Sequence, residues 1–209
     1  MMLDRRAKLR EATRQEILAA AWDIAREQGI GAVTLREIAA RIGMQPPSLY
    51  THFPSKMAIY DAMYRQGWED YLAVVAETEP RLPAAPRAAL AMVAAGFFDF
   101  ALAEPARAQL MNQRLVPGFE PTAEAYAPAV ETLDRLRAVL ARLGAGGEAA
   151  ADLFTALVAG LVSQQIANDP GGRRWRRLLE RAIDMYADEM GLPGPRLTAP
   201  AGGRRGAGQ

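Results

Sequence analysis

The sequence predicts an all-α protein: a three-helix N-terminal domain of helix-turn-helix form, followed by a larger helical domain. Three observations carry this. Apolar residues recur at spacings of three and four along nearly the whole chain, the period of one helix face. Between residues 33 and 56 two short helical stretches are separated by Gly43 and bounded by prolines. Pro/Gly clusters at 80–86, 116–121, 144–147 and 169–172 fall between the longer periodic stretches, where turns belong.

Composition narrows the function classes. The chain has 209 residues, half of them hydrophobic and 23% charged, which suits a globular protein with a real core. It contains no Cys, which excludes disulfides, thiolate metal sites and a cysteine nucleophile. A single His, His52, leaves no histidine metal cluster and at most one imidazole base. Neither a metal nor a cofactor is therefore expected. Net charge is only +1, so any attraction to nucleic acid must be local. The N-terminus lacks the apolar core of a signal peptide. The apolar run 88–103 is interrupted by Asp99 and falls short of the roughly 20 residues that span a bilayer. The expectation is a cytoplasmic protein without a membrane partner.

The first helix is expected from Thr13, which with Glu16 forms a capping-box pattern. It carries Ile17, Leu18, Ala21, Ile24 and Ala25 on one face and ends near Gln28. The second is clearer. Thr34 is placed as N-cap, Glu37 as the third helical residue, and Val33 and Ile38 as a hydrophobic staple across the cap. Gly43 suits the left-handed stop after Ile42. Gln45 and Pro46 each precede a proline and are pushed out of the helical region, which makes Pro47 the expected first residue of a third helix reaching about Phe53. Leu49 and Phe53 then face the core. Ser48, Tyr50, Thr51 and His52 present groups able to reach phosphate oxygens or base edges. Ser55 can cap the next helix, and Lys56 at its start is placed to hold an anion.

The stretch VTLREIAARIGMQPPSLYTHFPSK resembles the DNA-binding signature of the TetR family of transcriptional regulators, and the resemblance covers roughly residues 13–60. It implies a homodimer, a double-stranded DNA operator with inverted-repeat symmetry, and a C-terminal domain that often binds a small effector. Thr34, Ser48, Tyr50, Thr51, His52 and Lys56 match DNA-contact positions of the family. Arg36, Gln45, Pro46 and Pro47 match positions that vary and help set sequence preference. The two prolines depart from the polar or small residues frequent there, leaving apolar contacts such as thymine methyls. Arg36 and Gln45 become the expected base readers, with DNA shape contributing the rest.

Residues 1–56 carry nine Lys or Arg against six Asp or Glu, a net of +3. The excess lies mostly in the arm of Arg5, Arg6, Lys8, Arg10 and Arg14, which either follows phosphates or is a frayed, solvated end. The expected organisation is an arm and DNA-binding domain over 1–56, an effector-binding and dimerisation domain over 57–191, and a disordered Pro/Gly-rich tail over 192–209.

In the second domain, helices are expected over 56–78, 88–103, from Pro105 to near Leu115, and over 122–143, 148–168 and 173–190. The stripe Trp175, Leu179, Ile183, Tyr186 and the residues Leu157 and Leu161 are assigned to the dimer interface that the resemblance implies, with small Ala156, Gly160 and Ser163 allowing close helix approach. Met92, Phe97, Phe100, Met111 and Tyr126 lie where the resemblance places a cavity for a small apolar effector, with Asn112, Gln113 and Gln165 as polar anchors. The leading reading is a DNA-binding regulator, a repressor released by its effector. The alternatives are an architectural or partner-recruiting DNA-binding protein without effector, and a helical enzyme using His52. For the last, no carboxylate pair, nucleophile elbow or phosphate loop accompanies the imidazole.

Overall fold

A computed structural model describes the chain from Met2 to Thr198, with side chains from Arg5 onward. Among the described residues nine α-helices are present: α1 (Met2–Gln28), α2 (Leu35–Arg41), α3 (Pro46–Leu49), α4 (Lys56–Thr78), α5 (Pro86–Ala103), α6 (Pro105–Asn112), α7 (Ala123–Leu143), α8 (Glu148–Asn168) and α9 (Leu179–Glu189). They fall into two compact units, one reaching to Val74 and including Phe100–Thr132, the other made of Val75–Asp99 and the chain from Leu133.

In the N-terminal unit the apolar face of α1 puts Ile17, Ala21 and Ile24 in a core with Val33, Ile38, Leu49 and Phe53, all essentially sealed from solvent. That core does not stop at residue 56. Ile59, Tyr60 and Met63 of α4 are fully buried in it, and Leu110 of α6 joins them. The Tyr60 hydroxyl donates to the Ile30 carbonyl at 2.7 Å, tying α4 to the turn after α1. Burial of this phenol pushes its pKa up to about 12, so the hydroxyl remains a donor.

Helix α1 does not begin at Thr13. It runs unbroken from Met2, and the Thr13 hydroxyl donates back to the Leu9 carbonyl at 3.1 Å instead of capping. The arm is thus an extension of the first helix. The caps read for the next helices are present. Thr34 Oγ1 accepts from Glu37 N at 3.1 Å, and Ser55 Oγ accepts from Ala58 N at 3.1 Å. Gly43 takes φ 68°, and Met44 N closes back on the Ala39 carbonyl at 2.9 Å, the Schellman closure that stops α2.

The second unit buries Leu90, Ala94 and Phe98 of α5, Leu140 of α7, Ala151, Phe154, Val158 and Val162 of α8, and Leu179, Ile183 and Tyr186 of α9. By length and composition α5 and α8 could each cross a membrane. Yet α5 carries Arg87, buried with its guanidinium on Asp184 (3.3 Å) and Asp188 (2.6 Å), and α8 ends on the fully buried, hydrogen-bonded Gln165. Helix α9 starts later than Arg173. The Asp169 carboxylate accepts from Arg174 N at 2.8 Å and Gln165 Oε1 from Trp175 N at 2.9 Å, holding the chain in a turn. A short 3-10 segment over Arg176–Leu178 follows before the regular helix.

Residues 192–198, expected to be disordered, are fastened. Leu192 is buried, and the Asp184 carboxylate accepts from Leu197 N, Thr198 N and the Thr198 hydroxyl at 2.8–2.9 Å. Composition misread this segment because its anchors lie outside it, in the Asp184 and Asp188 carboxylates of α9 and in Arg87 of α5, which donates to the Leu192 carbonyl. The remainder of the expected tail lies outside the described residues.

Candidate nucleic-acid interface

The interface is assembled from three short pieces: the start of α2, the turn and α3, and the start of α4. Thr34 and Arg36 are exposed. Because Thr34 Oγ1 accepts from a backbone N–H, its own proton is left to donate outward, for instance to a phosphate. Arg36 is exposed and makes no ion pair among the described residues. Arg41, one turn on, is held by both oxygens of Glu27, at 2.9 and 2.6 Å, which locks the end of α2 to α1.

Helix α3 departs from expectation in extent. Pro46, not Pro47, is its first residue, with Gln45 as N-cap in extended conformation, and regular helix ends at Leu49. Tyr50 to Phe53 then wind on as a tightened turn, with His52 N on the Leu49 carbonyl at 2.9 Å and Phe53 N on the same carbonyl at 2.8 Å. The inward anchors are as read: Leu49 and Phe53 are 0% and 1% exposed. Gln45, Pro47, Ser48, Tyr50 and Thr51 are exposed; Pro46, His52 and Lys56 are half-buried.

Two of these side chains are less free than their types imply. The Thr51 hydroxyl donates to the Ser48 carbonyl at 2.7 Å, so while that bond holds its oxygen can only accept from an outside group. His52 has its Nδ1 buried without a hydrogen-bond partner. Lys56 Nζ lies 5.2 Å from the Tyr60 ring centroid, a cation–π contact that steadies it at the start of α4.

Sequence reading placed Arg10 and Arg14 in the arm but missed their contacts with this turn. Arg14 Nη1 donates to the His52 carbonyl at 2.5 Å and its guanidinium sits 4.2 Å over the Phe53 ring. Arg10 Nη2 donates to the Thr51 carbonyl at 3.1 Å. The signal available was the spacing of Arg6, Arg10 and Arg14, which places all three on one face once α1 is continuous.

The residues assigned to an effector cavity divide between the two units. Met111 is buried, its Sδ 3.0 Å from where a Gly67 Cβ would stand. The Phe100 ring lies 5.0 Å from that of Tyr71 and 3.8 Å from the Arg107 guanidinium. Tyr126 is half exposed and stacks on Tyr64 at 6.2 Å. Met92 and Phe97 are half-buried in the other unit. Gln165 is committed to the turn after α8, and Asn112 donates to the Ala108 carbonyl at 2.9 Å. A cleft of about 410 Å³ does exist in the N-terminal unit, but its lining of Gln15, Trp22, Arg26, Gln66, Asp70, Glu104 and Arg107 is polar and includes none of the assigned residues. Burial raises the Asp70 carboxyl there, against the opposing pull of Arg107 at 3.2 Å.

The assigned dimer stripe also needs correction. Leu179, Ile183 and Tyr186 are 1%, 0% and 5% exposed within the single chain, and the Tyr186 hydroxyl donates to the Ala150 carbonyl at 3.0 Å. Trp175 lies before α9, half-buried. These residues have little surface left for a partner. What α8 leaves outward is Leu153, Ala156, Gly160 and Ser163, with Leu157 and Leu161 half-buried at its edge; Leu178, just before α9, and Met185 of α9 are exposed as well.

Comparison with known proteins agrees with this geometry. Residues 17–63 match the family described as bacterial regulatory proteins, tetR family, and residues 90–186 match a tetracyclin repressor-like C-terminal domain. The chain is 43% identical over 47 residues to the class A tetracycline repressor from transposon 1721 of Escherichia coli, a match that spans 22% of each protein. It is 33% identical over 98 residues to the transcriptional activator FasR of Mycolicibacterium smegmatis, spanning 44% of this chain and 41% of that one. Among solved structures, the regulator FadR from Bacillus subtilis in complex with stearoyl-CoA superposes with a TM-score of 0.66 at 16% identity, over 82% of this chain and 96% of that one. The chain thus spans less than half the length of the curated relatives it matches, and that stretch holds the helix-turn-helix. With both its DNA-binding and its C-terminal domains matched, the chain belongs to the TetR family of bacterial regulatory proteins.

Proposed function

We propose that this regulator is a cytoplasmic transcriptional repressor that binds an inverted-repeat operator as a homodimer and leaves it when a small apolar effector binds. The observation that carries the reading is the array of Thr34, Arg36, Gln45, Ser48, Tyr50 and Lys56 around a proline-started turn whose other side, Leu49 and Phe53, is sealed in the core. The polar groups reach outward from a rigid base, as positioning on phosphates and reading of base edges require. Lys56 and Thr34 serve as phosphate contacts and Arg36 and Gln45 as base readers. Nothing in this array calls for catalysis.

Homodimerisation follows from operator symmetry, because two half-sites need two recognition turns related by a two-fold axis. The outward stripe of α8, with Leu153, Ala156, Gly160 and Ser163, is the proposed interface, joined by Met185 of α9 and by Leu178 just before it. A Cβ added at Gly160 would meet nothing within 4 Å in its own chain, which leaves room for a close helix. The effector is supported by the likeness to a regulator solved with stearoyl-CoA and to a tetracycline repressor.

The test is selection of genomic fragments by the purified protein, followed by binding titrations on the enriched sequence. A palindromic site bound far more tightly than random DNA, with affinity falling steeply in salt, is expected. Absence of any enriched site would refute the proposal.

A further inference from the structure

We infer that Arg10 and Arg14 are positioning residues for operator recognition: they set the pose of the recognition turn from behind and do not themselves bind the DNA. The inference rests on the operator-binding reading above.

The argument starts from the length of α3. Four residues of regular helix make almost no internal hydrogen bonds of their own, and the carbonyls at a helix C-terminus have no partner inside it. The Leu49 carbonyl takes the amides of His52 and Phe53, and the Ser48 carbonyl takes Thr51 twice, through N–H and hydroxyl. The carbonyls of Thr51 and His52, at the finish of the turn, are filled from 41 and 38 residues away, by Arg10 and Arg14. Both donors are charged, and cations at the C-terminal end of a helical turn also complement its dipole.

Arg14 is fixed three ways. It donates to the His52 carbonyl, has its guanidinium carbon 4.2 Å from the Phe53 ring centroid, and has Glu11 at 3.9 Å. Phe53 is itself 1% exposed, so the guanidinium rests on the core. Meanwhile α1 carries Ile17, Ala21 and Ile24 into that core one to three turns later. The recognition turn is therefore clamped at both ends: by Pro46 and Pro47 at its start, and at its finish by two arginines on the helix that anchors the domain. Loosening the clamp frees Ser48–His52 to shift against Thr34 and Lys56, which stay fixed by their own helices. A shift of that kind removes discrimination between sequences while leaving the phosphate charge available.

Arg6, one turn earlier on the same face, is exposed, and its side chain has no hydrogen bond or ion pair among the described residues. It provides the control, since it is placed to act as an ordinary phosphate-directed charge.

The experiment uses the full chain and two duplexes of equal length, one selected from a random-sequence pool by the wild type and one scrambled. Fluorescence anisotropy is followed across a salt series for Arg14→Lys, Arg10→Lys and Arg6→Ala, with thermal midpoints measured alongside. Lysine keeps the charge but lacks the planar fork. The Arg14→Lys protein should lose its preference for the selected duplex by roughly tenfold or more, the size of one mismatched base pair, with scrambled-duplex affinity, salt slope and thermal midpoint unchanged. The Arg10→Lys protein should move the same way by less. Arg6→Ala should weaken both duplexes together and reduce the salt slope by about 0.9, one phosphate. If the lysine variants keep the wild-type preference, Arg10 and Arg14 act through charge alone and the inference is overturned. It is overturned equally if selected and scrambled duplexes weaken in parallel, with or without a fall in thermal midpoint. A wild type that selects no duplex at all would instead refute the operator reading on which the inference stands.

Discussion

At the residue scale, the caps are where sequence and structure meet most directly. Thr34 with Glu37, and Ser55 with its downstream amide, were legible because a cap needs only a few neighbouring residues. Thr13 carried the same pattern and is not a cap. The helix was already running, and nothing local distinguishes a threonine that starts a helix from one that hydrogen-bonds back within it. Thr34→Ala is expected to cost about 1 kcal/mol of stability, seen as a lower denaturant midpoint with unchanged slope. On DNA, Lys56→Ala should weaken every sequence about equally, whereas Arg36→Ala should cost about 1–3 kcal/mol on the operator and relax preference at one base pair. Titration of each variant against the operator and its single-base derivatives separates the two.

At the element scale, periodicity located the long helices but did not say where the recognition turn stops or what holds it. Residues 47–53 read as one helix from their spacing. The structure ends the regular helix at Leu49 and finishes the turn with carbonyl partners from α1, contacts too distant in sequence for any local pattern to reveal. The segment after α9 is the same kind of case. Asp184 loses solvation on burial, yet four donors, from Leu197, Thr198 (twice) and Arg87, hold its carboxyl below the usual range. The hydrogen bond from Arg87 lowers Asp188 in the same way. Because both folded pKa values are depressed, the stability they contribute is present at neutral pH and above the ordinary carboxylate value of about 3.9. It is lost as pH falls below that value through the folded ones. Amide exchange at Leu197 and Thr198 should therefore remain slow at neutral pH and accelerate in strong acid. Asp184→Ala should destabilise the fold by roughly 1–3 kcal/mol, since it strips the acceptors from Leu197 and Thr198 while Arg87 keeps Asp188 at 2.6 Å.

At the scale of the whole molecule, the question is which apolar surface the chain keeps for itself. Helix α9 announced its stripe plainly, but a stripe names no neighbour, and Leu179, Ile183 and Tyr186 belong to the protomer's own core. The outward face of α8 is quieter in sequence because it is built of small residues. Two substitutions distinguish these roles. Ile183→Asp should unfold the chain, whereas Gly160→Arg should leave a folded monomer with lost operator affinity, as sedimentation and circular dichroism together would read. The measurement that bears most directly on the account is a hydroxyl-radical footprint of the wild type on its selected duplex. Two protected half-sites of inverted sequence, centred about one DNA turn or roughly 34–36 Å apart, are predicted. Uniform protection without half-sites, or no protection at any concentration that saturates random DNA, would contradict it.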